Sequence, residues 1–115
     1  GRRWEGQLNS LTPVLVLVVA NDKEDRDVRA MAANVLGQSR DDAAVPALIK
    51  AIATREPYLF SEVHEALLAL TPAHISPITP SPLDQASMDE IARSWNEWYE
   101  QNHDRYRRYE QKEPK

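Results

Sequence analysis

Residues 11–20 read LTPVLVLVVA, a run with four Val and three Leu and no charged side chain. Its β-branched content suggests a strand, its unbroken apolarity a membrane segment, and its length a buried helix. The membrane reading fails first, because a spanning helix needs about 20 apolar residues. The other two are separated by an internal similarity. Laid over VPALIKAIA (Val45–Ala53), the stretch Thr12–Ala20 puts Pro13 on Pro46, Leu15 on Leu48, Val16 on Ile49 and Val19 on Ile52. Further on, DVRAMAANVLG (Asp27–Gly37) overlays EVHEALLALTP (Glu62–Pro72), with Val28 on Val63 and Ala32 on Leu67. The repeat spacing, about 33 residues in the first half and about 35 in the second, is that of paired helices.

Periodicity within the units agrees. Val45, Leu48, Ile49 and Ile52 occupy i, i+3, i+4 and i+7, one stripe of an α-helix. Val28, Met31, Ala32, Val35 and Leu36 make a second stripe, and Val63, Ala66, Leu67 and Leu70 a third. Thr12 before Pro13 suits a helix start, Asp25 or Asp27 can cap the second helix, and Asp41 or Asp42 the third. Gly37 reads as a stop. Helices are expected near 11–20, 25–37, 41–54 and 57–70.

These residues carry a family resemblance. DRDVRAMAANVLGQSRDDAAVPALIKAIA resembles the HEAT repeat in its short bacterial, phycobilisome-lyase-like form, through Asp25, Val28, Arg29, Ala32, Leu36, Gly37, Ala44, Val45, Pro46, Leu48 and Ile49. The second unit departs from it, with Glu62-Val63-His64 in place of Asp-Val-Arg and a longer loop over Thr54–Phe60. The expected fold is all-α: a short α-solenoid of HEAT-like helix pairs closed by a long C-terminal helix. One domain is expected over 1–115, with 11–37 as repeat one, 41–70 as repeat two, 71–87 as a Pro-rich connection and 88–111 as the capping helix.

The connection carries prolines at 72, 77, 80 and 82, a spacing no helix survives. Ile75, Ile78 and Leu83 suggest that it lies against the helices. Ser87 and Glu90 then read as a capping box. Met88, Ile91, Ala92, Trp95, Trp98, Tyr99, Asn102, Tyr106 and Tyr109 fall on one face of the following helix, suited to covering the last repeat. Trp95 reads as core and Trp98 as the edge of the stripe.

Composition narrows the chemistry. The chain has 115 residues, three Gly, no Cys and a formal net charge of −4. Thiol nucleophiles, thiolate metal sites and disulfides are excluded, and Gly-rich phosphate loops are disfavoured. His64, His74 and His103 share no ligand spacing, so no metal site is expected. The acidic pairs read as caps and solvated faces, so no catalytic residue and no cofactor is assigned. Arg105, Arg107 and Arg108 alternate with tyrosines as nucleic-acid contacts do, but the overall acidity makes nucleic acid an unfavoured alternative.

The resemblance implies a protein-interaction scaffold or a structural subunit of a larger assembly. It places the binding surface on the second helix of each unit: Arg26, Arg29, Ala33, Glu62, His64 and Glu65. Some HEAT-like relatives attach bilins or remove damaged bases, which keeps an accessory, lyase-like enzyme as an alternative. Trp4 and Trp98 are added as aromatic anchors. Val14 and Val18 are added because a helix apolar all round needs cover on more than one side, from another protein or from further repeats. No membrane insertion is expected, and a soluble protein of the cytoplasm or bacterial periplasm is the expectation for compartment.

Overall fold

The computed structural model describes residues 2–75 and 83–109, with side chains from Leu11 onward. Five α-helices carry the described residues, and no strand occurs among them. They are α1 (Arg2–Ala20), α2 (Arg26–Ser39), α3 (Val45–Ala51), α4 (Pro57–Leu70) and α5 (Gln85–Tyr106). Short turns join α1 to α2 and α3 to α4 as two helix pairs. The pairs stack like on like, α1 against α3 and α2 against α4, in an α-solenoid-like arrangement. Helix α5 lies along the second pair.

The expected stripes of the second pair are buried: Val45, Leu48, Ile49 and Ile52 from the α3 region, and Val63, Ala66 and Leu67 from α4. Phe60, Leu59 and Leu36 fill the space between, and Trp95 of α5 is fully enclosed. Met88, Ile91 and Tyr106 are also buried, so the aromatic face of α5 does close the body. Ile75 and Leu83 pack on the core as expected. Ile78 lies outside the described residues.

Helix boundaries differ from the sequence reading in four of the five helices, each for a local reason. Helix α1 begins at Arg2, and Pro13 lies inside it rather than at its start. Packing along α2 and α3 carries the helix through a residue that costs roughly 3 kcal/mol in a helix interior. Thr12 is therefore no cap; it is buried, with its hydroxyl unpartnered. Gly37 is no stop either, since α2 runs to Ser39 and ends on Arg40 in the left-handed region at φ 59°. Gly37 is needed for contact. A Cβ placed on it would meet Ala66 Cα and Cβ of α4 at 3.0 Å.

Helix α3 is shorter than expected, because the chain from Asp42 to Ala44 forms a 3-10 turn capped by Asp41, which accepts from the Ala43 N–H at 3.0 Å. Helix α5 starts two residues before Ser87. Asp84 supplies the cap, accepting from the Ser87 N–H at 2.8 Å, so Ser87 falls inside the first turn. At the other end α5 gives way to a 3-10 turn at Arg107–Tyr109. Asp25 caps α2 as expected, accepting from the N–H groups of Asp27 at 3.0 Å and Val28 at 3.4 Å.

Candidate interaction surface

Helix α2 has two very different long sides. One side, facing α4, is polar or small. Arg26 donates to Glu56 at 2.8 Å, Asn34 donates to Glu62 at 3.1 Å, and Gly37 sits on Ala66. The opposite side carries Val28 and Met31, with half-buried Val35 one turn on. Ala30, Ala32, Ala33 and Leu36 fill the interior between them.

This reverses part of the expected stripe. Val28 and Met31, read as core, are 44% and 68% exposed, while the buried positions include Arg29 and three alanines. The cause is side-chain size. Neighbouring helices approach most closely over alanine and glycine, so the larger apolar residues are left on the outside.

Helix α1 presents a matching strip. Leu11, Val14 and Leu17 recur at i, i+3 and i+6 and are 46%, 57% and 56% exposed. On the other side of α1, Thr12 and Val19 are buried, and Val16 and Ala20 face α3 and α5. Leu17 also borders a shallow hollow with Asp41, Ala43 and Tyr109. Among the described residues, five of the six exposed large hydrophobic side chains belong to the first helix pair, the sixth being Tyr58 of α4.

The residues assigned from the sequence fall into three groups. Three of them are interior and do not belong to a binding surface. Ala33 is wholly buried, Arg29 is only 8% exposed, and His64 is wholly buried. Arg29 turns inward because its Nε–H donates to the Val19 carbonyl at 3.1 Å, satisfying a group in the last turn of α1 that has no helical donor. His64 turns inward because its position on α4 faces α5, where Trp95 donates to its Nδ1 at 2.8 Å. Phe60 stacks on the same imidazole at 6.1 Å.

A second group remains on the surface beside α2 and α4: Arg26 exposed, Glu62 half-buried and Glu65 exposed. The Glu56 carboxylate, by hydrogen bond and charge, raises the Arg26 pKa. Glu62, Glu65, Asn34 and Gln38 line a shallow groove between the two helices. The third group flanks the core. Val14 is exposed, Val18 is half-buried, and Trp98 is half-buried edge-on to Trp95 at 5.8 Å. The Trp4 side chain lies outside the described residues. Leu11, Leu17, Val28 and Met31 were missed by the sequence reading. For Val28 and Met31 a signal was present in the small residues elsewhere on α2: Ala30, Ala32, Ala33 and Gly37.

Two other features bear on chemistry. A half-open groove of about 520 Å³ runs between α1, α3 and α5, lined by Val16, Ala47, Ile49, Lys50, Tyr99 and Tyr109 among others. It is mainly apolar, with the Lys50 ammonium and the Asn96 amide as its polar groups. Among the described residues no group of three or more His, Asp or Glu could hold a metal ion. At the C-terminal end, Tyr106 is buried, Arg107 pairs with Asp104 at 2.9 Å and Arg108 donates to the Tyr109 hydroxyl at 2.8 Å. Tyr106 thus offers no open ring face for stacking against a base.

Stacked helix pairs closed by a terminal helix define an all-helical repeat protein of the α-solenoid type. Residues 28–54, from within α2 through the 3-10 turn and α3, match the family model of the PBS lyase HEAT-like repeat. That segment is similar to a phycobilisome-lyase-like HEAT repeat, in agreement with the motif in Asp25–Ile49. Comparison with curated proteins and with solved structures gave no match. No described helix is long and apolar enough to cross a membrane.

Proposed function

We propose that this chain is a non-catalytic protein-interaction module that binds through the exposed apolar side chains of its first helix pair. One observation carries the reading: Leu11, Val14, Leu17, Val28 and Met31, five of the six exposed large apolar side chains among the described residues, all belong to the first helix pair. Contiguous exposed apolar patches mark interaction sites in folded proteins, whereas scattered single side chains do not. The repeat family supports a binding role, because helical repeats present extended surfaces to partners. Arg26, Glu62 and Glu65 stand on a separate polar side of the body and serve as a secondary contact region.

The test compares three tagged chains in capture experiments from extracts of the source organism: the native sequence, Val14→Asp and Met31→Asp. Both substitutions replace exposed side chains and should leave the helical circular dichroism spectrum unchanged. Proteins captured by the native chain and lost with both variants support the reading. An identical set captured by all three overturns it.

A further inference from the structure

We infer that the groove between α1, α3 and α5 binds a small amphipathic molecule, an apolar chain with a carboxylate at one end and a hydroxyl at the other. Two concave regions make up the site. Ala47, Ile49 and Tyr99 wall the groove of about 520 Å³. A second hollow, of about 400 Å³, is bordered by Thr12, Leu17 and Asp41. Val16, Ala43 and Tyr109 line both, so the two run into one another. Mostly apolar walls with a few placed polar groups are the usual form of a small-molecule site. Val14, Val28 and Met31 line neither hollow, so this site is distinct from the exposed strips of the first helix pair.

The two ends of the site differ in charge. Lys50 lines only the larger groove, and no carboxylate joins it among the described lining residues. Its ammonium has no ion-pair partner among the described residues and so can take an anion. Thr12 and Asp41 line only the smaller hollow. Thr12 is 4% exposed, and its hydroxyl has no hydrogen-bond partner. Buried polar groups are nearly always bonded, so a ligand group that reaches this hydroxyl gains a bond the protein itself leaves unmade. The Asp41 carboxylate, which accepts from the Ala43 N–H, repels a second anion from this end. A hydroxyl suits both neighbours, because it can donate to Asp41 and accept from Thr12. From Thr12 to Ala20, α1 runs about 12 Å along the site, the reach of a medium-length straight chain. The ligand therefore lies with its carboxylate at Lys50 and its hydroxyl at Thr12.

Titration calorimetry with decanoate and ω-hydroxydecanoate tests the site in the native chain, Lys50→Gln, Thr12→Val and Met31→Asp. The native chain should bind both acids saturably and ω-hydroxydecanoate about fivefold more tightly, the worth of one added hydrogen bond. Lys50→Gln should weaken both about tenfold, by loss of a charge-assisted contact. Thr12→Val keeps the side-chain shape; it should leave decanoate binding unchanged and abolish the preference for the hydroxyl. Met31→Asp should bind both acids as the native chain does. No saturable binding by the native chain, or native affinity for both acids in Lys50→Gln, overturns the proposal. So does a hydroxyl preference that survives Thr12→Val, or a loss of binding in Met31→Asp, which would move the acids to the exposed strips. Lys50 is exposed, so its variant keeps the test decisive even where Thr12→Val fails to fold.

Discussion

Trp95 of α5 donates its indole N–H to Nδ1 of His64 on α4 at 2.8 Å, and neither side chain touches solvent. The indole can only donate, so the His64 Nδ1 must be the bare acceptor nitrogen and the ring proton sits on Nε2. The rings are edge-on, with centroids 5.9 Å apart. This bond joins the closing helix to the repeat body.

The first prediction concerns that bond. Nitrogen NMR of the folded chain should show His64 as the Nε2-protonated tautomer. Trp95→Phe should lower stability by about 1–3 kcal/mol, because it strands a buried acceptor. Trp95→Ala should cost about 3–5 kcal/mol through the added cavity. Urea midpoints measure both; a Phe variant as stable as the native chain would show that the bond contributes nothing.

Gly37→Ala tests the close contact of α2 with α4. Helix propensity alone would favour Ala by about 1 kcal/mol. The new Cβ would meet Ala66 backbone and side chain at 3.0 Å, and overpacking of this kind costs about 1–3 kcal/mol. A lowered melting temperature is expected; a raised one would mean that the two helices separate easily.

Arg29 and Arg26 should behave oppositely despite lying three residues apart. Arg29→Ala removes a buried charged donor from the Val19 carbonyl and should cost about 1.5–3 kcal/mol. Arg26→Ala removes an exposed ion pair with Glu56 and should leave the melting curve almost where it was. Equal losses for the two variants would contradict the inward placement of Arg29.

Acid and alkaline limits of stability should map to the N-cap and the last residue of α5. The Ser87 N–H holds the Asp84 carboxyl below its ordinary value of 3.8. Its contribution is therefore present above that pH and lost as pH falls through the lower folded value. Burial raises the Tyr106 phenol above 10.0, so its contribution is complete below that pH and lost as pH rises through the folded value. Asp84→Asn should flatten part of the acid limb and Tyr106→Phe part of the alkaline limb, read from urea midpoints across pH.

Asp25→Ala should destabilise the chain by about 1 kcal/mol, since it unpairs the first N–H groups of α2. Loss of helix signal confined to residues 26–29 in hydrogen exchange would locate the effect; uniform change would not fit a cap.

The sequence by itself determined that the chain is helical, that its helices pair, and that the segment around Val28–Ile49 is similar to a HEAT-like repeat. Those properties are local: the apolar spacing in Val45–Ile52, the cap at Asp25 and the motif around Val28–Ile49 act within a helix or across one turn. Trp95 was also legible as core, because a large aromatic in the middle of an apolar stripe has few other places to go. Which side of α2 is inside was decided only by the tertiary structure. The spacing of Val28, Met31 and Val35 is as regular as that of a core stripe, but α1 and α4 approach α2 over its alanines and Gly37. His64 and Arg29 show the same limit. Polar residues in a helical pattern read as surface until a neighbouring helix supplies a donor or a carbonyl that draws them inward. The run LTPVLVLVVA became a helix by its overlay on VPALIKAIA; its exposed strip appeared only once α2 and α3 had taken the other sides.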